Sequence, residues 1–281
     1  MPAAAAGAIL GVPMTVQPHS TPAATTVFDR VVCGVDGSEA GALAALAAGI
    51  VTAPEGTLTL VAANDPSVAV HAGWSMPQIL EQLAADAASA LERGRGRAEQ
   101  QHPVEARLVE GDPIRGLLGE IARTDATAVV VGSHGVSRAA GIALGSVSTA
   151  LLHEAPCSVL VARGAIEAGR WPRRIVVGLD GSGGSAAAFA AATALGERFG
   201  AAVRAVVATE SAHVDLEAAR RIAPECEEHE ARALDALHVA SETADLVVVG
   251  SRGLRGLRAL GSVGERIAHQ AHCAVLVVRG G

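Results

Sequence analysis

The chain has 281 residues, half of them hydrophobic but only 2% aromatic, and a formal net charge of −7. It contains no lysine and no tyrosine, which excludes a P-loop lysine, a Schiff-base lysine and a tyrosine acid. The acidic balance argues against a non-specific nucleic-acid binder and a polybasic membrane surface, and no apolar run approaches the ~20 residues of a membrane span.

Residues 1–26 are rich in Ala, Pro and Thr and lack the basic start of a signal peptide, so they read as a disordered tail. Arg30–Val35 is the first strand and ends in Asp36-Gly37-Ser38, which opens a helix over Glu39–Val51. Leu58–Ala63 is strand two, and a long helix follows over Pro77–Gln100. Strand three is Val104–Val109. Gly111-Asp112-Pro113 then caps a helix from Ile114 to Arg123. Strand four is the valine run Val129–Val131, whose unbroken apolarity marks a strand buried on both faces. Gly132-Ser133-His134-Gly135 follows, then nine residues, then Gly145-Ser146 at the head of a helix over Val147–His153. Strand five is Ser158–Val161. Strands alternating with helices imply a parallel, doubly wound α/β sheet.

Residues 164–173 read as a short polar linker between a first domain, 27–163, and a second, 174–281. The second repeats the first: Gly178-Leu179-Asp180 matches Gly34-Val35-Asp36, and Val203–Ala208 matches strand two. Val247–Val249 with Gly250-Ser251-Arg252-Gly253 matches strand four and its loop, and Gly261-Ser262-Val263 matches Gly145-Ser146-Val147. Asp36 and Asp180 lie 144 residues apart, Gly132 and Gly250 only 118, so the second copy has lost 26 residues between its first strand and its glycine loop. The expectation is a four-stranded second domain that lacks most of the second crossover helix and strand three, an edge strand that can be lost without splitting the sheet. Glu225–Glu230 reads as a solvated helix face, and residues 232–239 as the helix before strand four.

Each unit of strand, open glycine loop and helix N-terminus presents unpaired backbone N–H groups and the positive end of a helix dipole, a combination suited to an anion. The loops carry Arg138 in the first copy and Arg255 and Arg258 in the second, each a planar fork of donors for phosphate. Four cysteines, Cys33, Cys157, Cys226 and Cys273, form no C-x-x-C pair. They read as buried hydrophobes in a reducing, cytoplasmic setting rather than as disulfides or metal ligands.

The spacing G-x-x-G, nine residues, G-S after a valine strand, beside an opening V-D-G-S and present twice, resembles the universal stress protein family. The resemblance implies five-stranded sheets of order 3-2-1-4-5 and an adenine-nucleotide site, ATP with or without Mg²⁺, where the strand order reverses. Carried over, Gly132, Ser133, His134 and Gly135 would wrap ribose and phosphates. Gly145, Ser146 and Val147 would meet the phosphates, Gly34 and Asp36 would stand beside the nucleoside, and Ala63 would face the adenine. The second copy offers Gly178, Asp180, Gly250, Ser251, Arg252, Gly253, Arg255, Gly261, Ser262 and Val263, but its loop has seven residues where the pattern has nine. The resemblance also implies pairing through the last strand, within the chain or as a homodimer. With no lysine and no evident general base, the expectation is a nucleotide binder in stress response, not an enzyme.

Other readings stay open. The glycines could make only tight strand–helix turns, and Asp36 only a helix cap. The chain could then be an assembly module whose protein partner the sequence does not name. Gly181-Ser182-Gly183-Gly184-Ser185-Ala186, with Glu210 after strand two, also fits a dinucleotide fingerprint for NAD; against it, Asp180 would repel a pyrophosphate.

Overall fold

In the computed structural model, residues 27–67, 77–135, 144–251 and 262–280 are described. The first half runs β1 (Arg30–Gly34), α1 (Glu39–Val51), β2 (Thr57–Asn64), α2 (Pro77–Ala98), β3 (Glu105–Glu110), α3 (Pro113–Thr124), β4 (Ala128–Gly132), α4 (Ser146–Glu154) and β5 (Ser158–Ala162). The second half runs β6 (Arg174–Leu179), α5 (Gly183–Phe199), β7 (Ala202–Ala208), α6 (Leu216–Ile222), β8 (Glu227–His229), α7 (Ala233–Ser241), β9 (Leu246–Gly250), α8 (Val263–Gln270) and β10 (Ala274–Val278).

Central strands are buried on both faces, which is why they read as unbroken apolar runs. In β4, Ala128 and Val130 pack into the core on one side of the sheet, under α1 and α5. Val129 and Val131 pack on the other side with Leu117 of α3 and Leu151 of α4. Both cores run through both halves, and alanine-rich helices such as α1 fill them without aromatics.

Strand order is β3-β2-β1-β4-β5-β10-β9-β6-β7-β8. Each half is parallel and keeps the order 3-2-1-4-5, but the two sheets are continuous, joined by the antiparallel pair β5–β10. There Leu160 pairs with Leu276, Val161 with Val275 and Val159 with Val277. Residues 116 apart in sequence therefore exchange places about the Leu160–Leu276 pair, as a two-fold axis requires. Two arginines with the same spacing cross the seam reciprocally. Arg163 donates to the carbonyls of His269 (3.2 Å) and Ala271 (2.7 Å) at the end of α8, and Arg279 to Leu152 (2.7 Å) near the end of α4. Both serve carbonyls that a helix terminus leaves unpaired.

The expectation of a four-stranded second half is overturned. Strand three survives as β8, three residues parallel to β7 in the register Val206↔Glu227 to Ala208↔His229. The deletion fell mainly on the crossover helix: α6 has 7 residues where α2 has 22. The run 225–230 is accordingly no helix face; β8 lies inside it. Glu227 takes two hydrogen bonds from Arg204 (2.9 and 2.7 Å) and Glu228 two from Arg220 (2.8 and 2.6 Å). Side-chain pairs hold this strand, and its charges blunt an open sheet edge. The linker also differs from a polar tether: Ile166 and Trp171 are buried, and the Trp171 indole donates to the Asp245 carbonyl at 3.1 Å. No helix among the described residues is long and apolar enough to cross a membrane.

Candidate functional site: a cleft at the strand-order reversal

β1 is hydrogen-bonded to β2 on one side and β4 on the other, so the chain winds away in both directions from it. A cavity of about 750 Å³ opens at the carboxyl ends of these strands. That volume lies within the ~300–1,000 Å³ usual for small-molecule sites. Gly34, Asp36, Ala63, Gly132, His134, Gly135, Gly145, Ser146 and Val147 all line it. Ser133 does not. It is 3% exposed, its hydroxyl is 2.9 Å from His134 Nδ1, and its carbonyl accepts the Gly145 amide at 2.8 Å. That bond closes the loop and uses the Gly145 amide, so Gly145 is not an amide donor to a ligand.

The amides that remain are those of Ser146, Val147 and Ser148, since the first intrahelical bond of α4 runs from Thr149 N–H to the Gly145 carbonyl at 3.0 Å. The cap is Gly145, which has no side chain to fill the mouth. The Ser146 hydroxyl is exposed and has no partner among the described residues. An open helix mouth facing a cleft has the free donors and the dipole end that suit an anion.

Asp36 is exposed and is not the helix cap; Ser38 is, accepting from Gly41 N–H at 3.0 Å. Asp36 Oδ1 instead braces that cap by accepting from the Ser38 amide at 3.0 Å and from its hydroxyl. Gly132 has a packing reason of its own: a Cβ there would lie 2.6 Å from the Ala40 carbonyl carbon and oxygen, so β4 and α1 meet main chain to main chain. The wall from α2, with Asp86, Ala90 and Arg93, was missed from the sequence. Its only signal was that helix's amphipathic spacing.

A second cavity, about 630 Å³, occupies the equivalent place and is lined by Gly178, Asp180, Gly250, Ser251, Ser262 and Val263. Its helix mouth is closed differently: Ser262 Oγ accepts from Glu265 N–H at 3.2 Å. Glu210, Arg232, Asp235, Glu265 and Arg266 also line it. Arg138, Arg252, Gly253, Arg255 and Gly261, with Arg258, lie outside the described residues.

The dinucleotide fingerprint has a packing explanation. Ser182 caps α5, its hydroxyl accepting from Ser185 N–H at 3.2 Å. Gly184 and Gly250 are in backbone contact, since a Cβ on Gly250 would lie 2.2 Å from the Gly184 carbonyl. A pyrophosphate finds no open helix mouth there. Burial pushes the thiols up, Cys157 to about 11, Cys273 to about 12 and Cys33 further, so all three are protonated hydrophobes.

The model of the universal stress protein family matches residues 28–163 and 216–279. Among solved structures, a universal stress protein from Archaeoglobus fulgidus is 20% identical with a TM-score of 0.67, covering 90% of this chain and 96% of that one. A putative universal stress protein from Pseudomonas aeruginosa is 16% identical with a TM-score of 0.63, covering 90% and 94%. A universal stress protein in complex with cAMP is 26% identical with a TM-score of 0.39, covering 49% of this chain and 98% of that one. No curated protein matches the sequence. The family match spans more than half the chain, and the two full-length neighbours share its fold: the chain belongs to the universal stress protein family.

Proposed function

We propose that the chain is an adenine-nucleotide-binding stress-response protein of the cytoplasm that holds ATP in the cleft of its first half. The observation that carries this reading is the mouth of α4, left open by its glycine cap and lined by the amides of Ser146, Val147 and Ser148. The triphosphate lies against those amides, with Mg²⁺ on its outer oxygens where the ion accompanies the nucleotide. The adenine enters the apolar side between Val61, Ala63 and Leu117. Asp36 sits beside the ribose, its Oδ1 already committed to Ser38. That commitment, and a chain without lysine, favour binding over turnover.

Calorimetry tests this with ATP, adenosine and inorganic triphosphate, each with and without Mg²⁺. ATP binds more tightly than either fragment, because it alone spans the apolar slot and the helix mouth. No heat with ATP, and none released from the purified protein on denaturation, would overturn the proposal.

A further inference from the structure

We infer that Arg93, on the α2 wall of the first cleft, donates to the ribose hydroxyls of the bound nucleotide and makes the site prefer a ribonucleotide to its deoxy forms. This deepens the nucleotide reading above and rests on it.

Gly37 turns the chain from β1 into α1 with φ +82°, and α2 packs over that turn. A Cβ built on Gly37 would lie 2.5 Å from Arg93 Nη2 and 3.3 Å from the Ala90 Cβ. The guanidinium therefore fills the space that the glycine leaves. Arg93 lines the cavity together with Asp36, the residue before that glycine. One arm of its fork is fixed within α2, where Nη1 donates to Ser89 Oγ. Nη2 has no partner among the described residues. A guanidinium only donates, and a hydroxyl oxygen can accept.

The two faces of the sheet decide which part of the ligand Arg93 meets. α2 packs with α1 through Leu91 and Ala98 in one core, whereas Leu117 of α3 and Leu151 of α4 belong to the core on the other face. The adenine slot at Leu117 and the open mouth of α4 thus stand across the cleft from Arg93. The sugar, beside Asp36, lies between. A neutral hydroxyl suits that wall better than a further phosphate, because Asp65 and Asp86 also line the cavity and their partners, Ser67 and Gln82, are uncharged.

The matching turn in the second half is covered differently. Gly181, 144 residues after Gly37, also has a positive φ, +81°. A Cβ there would meet the Asp215 carbonyl and the Ala218 Cβ at the start of α6. Main chain and a methyl group stand where the first half presents a guanidinium.

Calorimetry of the full chain with ATP, 2′-deoxy-ATP, 3′-deoxy-ATP and inorganic triphosphate tests this on wild type and Arg93→Met, with thermal melts confirming the fold. Wild type binds at least one deoxy analogue about fivefold to tenfold more weakly than ATP. Arg93→Met, which keeps the stem and removes the donors, binds ATP weaker by a similar factor and no longer distinguishes it from that analogue. Its affinity for triphosphate alone is that of wild type. Equal affinity of wild type for ATP and both analogues would overturn the inference, as would a folded Arg93→Met that binds ATP like wild type. A loss equal for ATP, both analogues and triphosphate would overturn it too, since that is a general effect of charge. Each of these leaves the nucleotide reading standing, whereas a wild type that binds no ATP removes both.

Discussion

Gly145→Asp separates the effect of charge at the α4 mouth from any effect on the fold. Gly145 has φ −70° and ψ 161°, an extended conformation open to any residue. A Cβ built there meets nothing nearer than the His134 Cα at 3.4 Å, so the side chain fits with little adjustment. Aspartate is a good helix cap, and replacing glycine also narrows the unfolded ensemble. Together these stabilise the fold by a few tenths to about 1 kcal/mol. The same carboxylate would stand about 5 Å from a phosphate on the first-turn amides, a repulsion of about 3 kcal/mol at an effective dielectric near 20. Solvent at the open mouth reduces that to about 1.5 kcal/mol, or about tenfold in affinity. Stability and binding should thus move in opposite directions. Calorimetry with ATP at low and high salt, beside a thermal melt, reads both. An intact fold whose ATP affinity is unchanged would refute the phosphate position, and weakened adenosine binding would point to a steric cause instead.

Gly132→Ala sets a Cβ 2.6 Å from the Ala40 main chain, which cannot yield as a side chain would, and should cost about 1–3 kcal/mol in a urea titration. Arg198 of α5 donates to the Ile50, Val51 and Thr52 carbonyls at 3.1, 2.6 and 2.6 Å, closing the end of α1 across the seam. Arg198→Met leaves those carbonyls to water and, given the arginine's exposure, should cost about 1–2 kcal/mol. His269 has its pKa lowered, first by burial, against an upward pull from Glu265 and with further lowering from Arg163 and His153. The unfolded chain therefore takes the proton first, so this histidine's contribution is complete above about pH 6.5 and declines as pH falls from there towards the folded value. The Leu144 amide, 3.4 Å away, needs Nδ1 unprotonated to donate to it. Melting temperatures from pH 8 to pH 5 should fall more steeply for wild type than for His269→Gln; parallel curves would remove the histidine from the account.

What the sequence disclosed follows burial. Val129–Val131 and Val247–Val249 are continuous because both faces of each strand are covered, and that pattern is visible in one dimension. β8 escaped because Glu227 and Glu228 are exposed and held by Arg204 and Arg220, partners up to 23 residues away. Trp171 and Ile166 sit in a polar-looking stretch, and only the fold brings them to a core. At the site, the glycine loops were legible because strand, loop and helix are adjacent in the chain. Asp86 and Arg93 were not, since α2 reaches the cleft only through the crossover. The use of the Gly145 amide by the Ser133 carbonyl depends on loop closure, which spacing alone does not give.

In a dimer of identical chains, every substitution at a two-fold contact is made twice, and a change that helps one side must be tolerated by its mirror image. Here the Leu160–Leu276 junction lies within a single polypeptide, so its two sides are encoded separately and associate without dependence on concentration. The reciprocal arginines, Arg163 and Arg279, keep the imprint of an exchangeable pair. His153 beside Glu265 does not, because the mirrored positions hold His269 and an uncharged threonine. Covalent linkage thus releases each half from copying the other, leaving one free to specialise while its twin maintains the shared scaffold.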